Sequence, residues 1–165
     1  MTPAHLTHAI RQHRDLPLTE IGLYPNLADA LQAWQQSEGC RAPRTVDPLL
    51  LPQALLPYVM LLDFEQSPTS LRVRLAGTEL CAKYGGELKG HTTAEFFAMP
   101  DARHVMETAV KVARLGIPSL ALRNYVNMDG KLWSYVRLVA PLSRSGTHID
   151  GFFKVLDPST LRQVA

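Results

Sequence analysis

Cysteine is scarce in this chain: only Cys40 and Cys81 occur among 165 residues. Two cysteines without paired spacing exclude a disulfide framework and a cysteine-based zinc site. Cys81 falls in a predicted helix and is expected to be a small buried apolar residue rather than a reactive thiol. We therefore expect a protein of the reducing cytoplasm.

The sequence also lacks an excess of one charge and a long apolar run. Its 17 basic and 15 acidic residues are dispersed, which argues against nucleic acid as the main partner. The most apolar stretch, residues 49–64, is too short to span a bilayer and is interrupted by Pro52, Pro57 and Asp63. The sequence predicts neither a secretory signal nor a membrane anchor.

Motifs of catalysis and metal binding are missing as well. There is no glycine-rich phosphate loop and no Gly-x-Ser-x-Gly sequence, and the histidines lack the spacing of metal ligands. We therefore expect no metal site and no enzyme activity.

Hydrophobic residues make up 46% of the chain, which is enough for one well-packed core. Residues 5–14 are compatible with a short helix. Asn26 is placed to cap an amphipathic helix near residues 26–38, and Gly39 is a suitable stop. We divide the chain into an N-terminal extension (1–46), a main domain (47–157) and a C-terminal tail (158–165).

The main domain has the pattern of an α+β fold. After a helical turn expected at Asp47-Pro48, residues 58–64 and 71–76 predict a hairpin, because apolar and charged residues alternate in the second run. Short helical segments at 78–84 and 93–98 precede a longer helix, capped by Asp101 and ending near Leu115. Three further strands are predicted at 119–127, 131–142 and 148–156. The result is a five-stranded antiparallel sheet with helices on one face.

Three sequence segments carry a resemblance to a known family: Gly77-Thr78-Glu79-Leu80, Tyr84-Gly85-Gly86-Glu87-Leu88-Lys89-Gly90, and the run from Tyr135 to Ser143. Together with the element order, they resemble a PAS-like family of bacterial proteins over roughly residues 34–156. The resemblance implies a small pocket between sheet and helices, and dimerisation through a helix before the first strand. It names no ligand.

The same resemblance indicates where flavin or haem would be bound in such a domain. Flavin photosensors carry a cysteine where this chain has Thr93, so a flavin photoadduct is disfavoured. Haem sensors use a histidine on the long helix, where His104 stands. Haem therefore stays open, although a histidine at the edge of the apolar stripe is usually only partly solvated.

Alternating residues on the predicted last strands leave two readings of the sheet. If the sheet face that carries Arg123 and Arg137 points toward the helices, the two arginines suit an anionic ligand, and the aromatic residues of that face would form the walls of its site. The opposite placement is favoured, because the alternate positions, with Leu120 and Val136 among them, form an uninterrupted apolar face. The expected ligand-binding residues are His104, Phe97, Arg123, Tyr125, Trp133, Tyr135 and Arg137.

On the favoured reading, Leu27, Leu31 and Trp34 of the first helix pack across the outer sheet face, within the chain or from a second copy. A homodimer is therefore expected.

Three functions remain. The first is a non-catalytic sensory or regulatory module that binds a small molecule or a signalling protein, and the second is a pure interaction and dimerisation domain with a filled core. The third is a small enzyme on a cone-like α+β scaffold, which would need a buried carboxylate or histidine in an open pocket.

Overall fold

The computed structural model describes residues 13–37, 42–65 and 70–164. Helices and strands are labelled in chain order. The helices are α1 (Pro25–Gln36), α2 (Thr78–Tyr84), α3 (Thr93–Phe96) and α4 (Met99–Leu115), and short 3-10 segments lie at Leu18–Leu23, Pro48–Leu50 and Gln53–Tyr58. The strands are β1 (Arg14–Leu16), β2 (Val59–Phe64), β3 (Leu71–Ala76), β4 (Ser119–Val126), β5 (Leu132–Leu142), β6 (Gly151–Leu156) and β7 (Arg162–Gln163).

One antiparallel sheet holds all of these strands. Its order is β1-β4-β5-β6-β2-β3, and β7 pairs with the start of β5. The central five strands confirm the predicted α+β, PAS-like sheet. The two short strands at its margins were not predicted, because three and two residues are too few to show a period.

The turns follow from local chemistry. The loop between β4 and β5 contains Gly130 at φ 77°, a conformation that glycine adopts without steric strain. At the end of β3, a Cβ on Gly77 would lie 2.2 Å from the carbonyl oxygen of Pro57, so only glycine fits between the two segments. Asp47 accepts a hydrogen bond from the Leu49 N–H at 2.9 Å, which confirms the helical turn predicted at Asp47-Pro48.

The sheet is covered on both faces, as expected if the first helix packs across the outer face within its own chain. Helices α2 to α4 cover one face over a core that includes Tyr84, Phe97 and Phe152. Helix α1 covers the other face over Leu120, Leu138 and other aliphatic residues. The prediction that the aliphatic side lies beneath the long helix was therefore wrong: it lies beneath α1.

Several predicted helix starts need correction. The predicted helix over 5–14 falls almost entirely outside the described residues, as does Cys40, and Arg14 lies in β1. Tyr24 precedes α1 as its N-cap, and the Asn26 side chain instead donates a hydrogen bond to Asp157 at 3.1 Å. The long helix begins at Met99, so Asp101 lies in its first turn and not at its cap.

Within the described residues, no helix is both long and apolar enough to cross a membrane.

Candidate functional site

A cavity opens between α4 and the sheet, at the place where the predicted pocket was expected. Its cavity volume is about 30 Å³. Most of its wall is apolar or aromatic, but polar and charged side chains reach it from four elements: Asp101, His104 and Thr108 from α4, Arg123 and Asn124 from β4, Arg137 from β5, and Lys154 from β6. His13, just before β1, completes the mouth.

Lys154 is a buried cation of this wall. It follows Phe152 by two residues, and because side chains alternate along a strand, both point to the α4 face. The side chain is 4% exposed, and its Nζ lies 5.3 Å from the ring centroid of Phe97 and 5.8 Å from that of Tyr135. Burial, together with the charges of Arg137 and Arg123, lowers the pKa of Lys154 to about 7.

Two arginines on neighbouring strands have partners. Arg137 donates from Nη1 to the Ser119 carbonyl oxygen at 2.8 Å and from Nη2 to the Thr108 hydroxyl at 3.3 Å. Burial lowers the pKa of Arg137 to about 9, which still leaves it charged at neutral pH. Arg123 donates from Nη2 to Asp15 at 2.7 Å, and this hydrogen bond holds the pKa of Asp15 below its usual value.

The mouth is framed by a histidine pair. The rings of His13 and His104 stack with centroids 4.1 Å apart, and His13 Nε2 lies 3.6 Å from the buried carboxylate of Asp101. Burial and the neighbouring His13 lower the pKa of His104, so its imidazole is neutral at neutral pH. The residue just before β1 therefore lines the cavity beside α4.

Tyrosines form part of the inner wall. The rings of Tyr125 and Tyr135 lie 5.3 Å apart, and both residues are buried. Burial raises the pKa of Tyr135 to about 12 and that of Tyr125 further above its usual value, so both hydroxyls keep their protons. The Tyr125 hydroxyl has no hydrogen-bond partner among the described residues.

The structure places six of the seven predicted ligand-binding residues on the cavity wall: His104, Phe97, Arg123, Tyr125, Tyr135 and Arg137. Trp133 shares their sheet face but lies beyond the cavity, beneath the Lys83 ammonium at 5.1 Å. Whether any of these residues binds a ligand stays a prediction.

The favoured outward placement of the arginines was wrong. Arg137 is 3% exposed and faces α4, since Ser119 and Thr108 satisfy its guanidinium. The prediction treated a charge as a barrier to burial, whereas a hydrogen-bonded guanidinium is tolerated inside a protein.

Sequence reasoning missed Lys154, although a signal was present. A single lysine interrupts the apolar strand between Phe152 and Leu156, and strand alternation puts all three on one face. It also gave Asp101 the role of a helix cap and did not connect His13 to any site.

Leu27, Leu31 and Trp34 lie on the opposite face of the sheet. Leu27 is fully buried, the other two are half-buried, and the Trp34 indole N–H donates to the Pro141 carbonyl oxygen at 2.8 Å. They pack within their own chain and against the aliphatic face of the sheet, not against the aromatic and arginine face that motivated the homodimer. A role in dimerisation stays a prediction.

The structure shows which groups surround Thr93 and His104, the two positions considered for flavin and haem. Thr93 is buried and its hydroxyl accepts a hydrogen bond from the Leu71 N–H at 3.0 Å. His104 lies at the mouth with a side chain 40% exposed, so a haem there would have to displace the stacked His13 ring. Haem binding stays an untested prediction. Among the described residues, no group of three or more His, Cys, Asp or Glu side chains has the geometry to hold a metal ion.

Comparison with solved structures gives several similar chains. The PAS domain of an HTR-like protein from Haloarcula marismortui is 18% identical, with 65% of this chain and 80% of that chain covered and a TM-score of 0.46. A PAS domain from Colwellia psychrerythraea is 10% identical, with 65% and 85% covered and a TM-score of 0.48. The LOV domain of the blue-light photoreceptor Aureochrome1 is 15% identical, with 68% and 85% covered and a TM-score of 0.48.

Family membership rests on a match along the sequence itself. No curated protein matches the chain significantly. A family model described as a PAS domain matches residues 24–154, from the start of α1 into β6. This range contains the whole cavity wall except His13, and it covers most of the sequence. The chain therefore belongs to the PAS domain family.

Proposed function

We propose that this chain is a cytoplasmic, non-catalytic sensory module that binds a small molecule in the cavity between α4 and the sheet. PAS domains are generally sensory modules, which supports the general class. The observation that carries the proposal is a cavity wall with a buried ammonium, Lys154, and a buried hydroxyl of Tyr125 that lacks a partner. Polar groups of this kind inside an apolar cavity are typical of ligand sites.

The same cavity offers a route from binding to output. Its wall includes β4, which pairs with β1, and β5, whose other face supports α1. An occupant that prefers one packing of these elements would shift the N-terminal segments toward that packing. A signalling protein that reads this change is part of the proposal.

Filling the cavity tests the proposal. Ala109 of α4 is buried on the cavity wall, so Ala109→Phe would occupy the space that a ligand needs. Ala113, one turn later, packs against the same core without lining the cavity, and Ala113→Leu is the matched control. Native mass spectrometry and thermal shift across a metabolite library should show ligand binding by the wild type and the control but not by Ala109→Phe. Absence of any binding to the wild type would favour a pure interaction domain.

One observation favours an enzyme as the second candidate. The cavity contains the buried carboxylate of Asp101 with His13 Nε2 at 3.6 Å, and a carboxylate and an imidazole are two groups that can act in acid–base catalysis. Turnover of a bound compound, lost in Asp101→Asn while binding is kept, would establish this function in place of the sensory one.

The homodimer remains a proposal that sedimentation tests directly. A monomer at high protein concentration would overturn it.

A further inference from the structure

The charges around the cavity are unbalanced. Three cations line it, Lys154, Arg137 and Arg123, against one carboxylate on the wall, that of Asp101. Asp15 sits at the outer end, 70% exposed, where it binds Arg123. Asp101 itself accepts a hydrogen bond from the Val126 N–H at 3.4 Å and lies 3.6 Å from His13 Nε2.

Lys154 differs from the two arginines because no described side chain or backbone group accepts a hydrogen bond from it. Arg137 and Arg123 donate to Ser119, Thr108 and Asp15, as described above. Lys154 has no ion pair and no hydrogen bond with another described residue, and aromatic rings are its nearest stabilising groups. A buried ammonium without an anion is unfavourable, so this position is suited to receive one.

The surroundings of Lys154 define what kind of anion fits. Phe97, Tyr135 and Phe152 border the cavity with their rings, together with aliphatic side chains from β2, β3 and β5. Such a wall favours a ligand with an apolar body over an inorganic ion. Because both arginines already have partners, one anionic group is enough to complete the charge balance at Lys154.

We propose that the cavity takes a small organic monoanion, with its carboxylate against Lys154 and its apolar body among Phe97, Tyr135 and Phe152. This inference rests on the proposed function, since it names the ligand class of the same cavity. A charge-assisted hydrogen bond from Nζ to the carboxylate would supply the discrimination between an acid and its neutral counterpart.

Matched acids and amides test the inference. Benzoate, phenylacetate and hexanoate, each against its primary amide, differ in charge while keeping the apolar body. We expect at least one acid to bind the wild type about tenfold or more tightly than its amide in isothermal titration, the difference expected for one buried charge-assisted hydrogen bond. Binding in which no acid exceeds its amide would overturn the inference.

Substitution of the lysine supplies the second arm. Lys154→Met keeps the length and apolar character of the side chain without its charge, and should remove the preference for the acid. Lys154→Arg should restore at least part of it. Lys83→Met is the control, because Lys83 lies over Trp133 and outside the cavity wall. An unchanged preference in folded Lys154→Met would contradict the assignment, and the wild-type comparison stands without any variant.

The two proposals fail in different ways. If the wild type binds only neutral or cationic compounds in the metabolite library, and Ala109→Phe abolishes that binding, the ligand class is wrong and the sensory proposal stands. If the wild type binds nothing at all, the sensory proposal fails and the ligand class falls with it.

Discussion

Asp15 Oδ1 accepts a hydrogen bond from Arg123 Nη2 at 2.7 Å, which ties the edge strand β1 to the wall of the cavity. Asp15 is 70% exposed and Arg123 12% exposed, so the pair lies where the cavity meets solvent. His13, the residue that precedes β1, lines the same cavity.

Asp15→Asn should therefore strengthen the binding of an organic anion. Removal of the carboxylate leaves Arg123 without its competing negative partner, and we expect benzoate affinity to rise about two- to fivefold. Because exposed ion pairs contribute little, stability should change by less than about 1 kcal/mol. Titration with benzoate checks the affinity, and urea unfolding checks the stability. Weaker binding would show that the pair positions the wall rather than competes with the ligand.

Lys154→Met should stabilise the protein near neutral pH. The pKa of Lys154 is lowered to about 7 in the fold from an ordinary value near 10.5, so the folded state releases this proton first. Stability should therefore rise with pH above about 7, and below it the full penalty of the buried charge is present. At pH 6 we expect the free energy of unfolding of the variant to exceed that of the wild type by on the order of 1–4 kcal/mol. The increase in stability with pH above about 7 should be absent from the variant.

Urea unfolding of both proteins at pH 6, 7.5 and 9 measures this difference. Arg137 and Arg123 lower this pKa, Asp101 raises it, and His13 and His104 line the same cavity in both proteins. Parallel pH profiles would mean that Lys154 is not the group responsible.

Binding of an organic anion should be accompanied by proton uptake at pH 8. Lys154 is largely neutral there, and a carboxylate beside it would favour the ammonium form. Titrations in buffers of different ionisation enthalpy should give an uptake approaching one proton per ligand. Lys154→Arg should bind without uptake, since a guanidinium is already charged. Equal uptake in that variant would assign the proton to another group.

The back face of the sheet should be the main source of stability for α1. Leu27 is fully buried there, so Leu27→Ala should destabilise the fold by about 2–5 kcal/mol. Leu49 is 91% exposed, and Leu49→Ala should change stability by less than about 0.5 kcal/mol. Thermal unfolding distinguishes the two. Similar effects would indicate that α1 is held by something other than this packing.

Gly77→Ala should disrupt the start of α2. The added Cβ would lie 2.2 Å from the Pro57 carbonyl oxygen, and backbone must move to admit it. We expect a loss of about 2 kcal/mol or more. Gly22→Ala is the control, because nothing lies within 4 Å of a Cβ there. A small loss of stability in Gly77→Ala would mean that the 3-10 segment Gln53–Tyr58, which contains Pro57, shifts readily.

Much of the fold was predictable, because repeated patterns encode it. Leu71 and Val73 alternate with Arg72, which indicates a strand. Glycines such as Gly130 indicate the turns at which strands end. The cavity was predictable only in part. Which face of β4 and β5 meets α4 depends on how α1 and α4 share the sheet, and local periodicity does not contain that information.

The position of Lys154 illustrates the limit further. A sequence shows that a lysine interrupts an apolar strand, but not that two aromatic rings and a cavity surround its ammonium. The two rings come from Phe97, which precedes α4, and from Tyr135 of β5, and a sequence does not show that these residues meet at Lys154.

The hydrogen bond from the Trp34 indole to the Pro141 carbonyl oxygen joins α1 to β5, the strand whose other face carries Tyr135 and Arg137. Trp34 therefore contacts the strand that also forms part of the cavity wall. Trp34 is one of just two tryptophans, so replacing Trp133 with phenylalanine would leave a protein whose ultraviolet emission reports events behind the wall. The fold thus carries its own optical probe on the sheet face opposite the cavity.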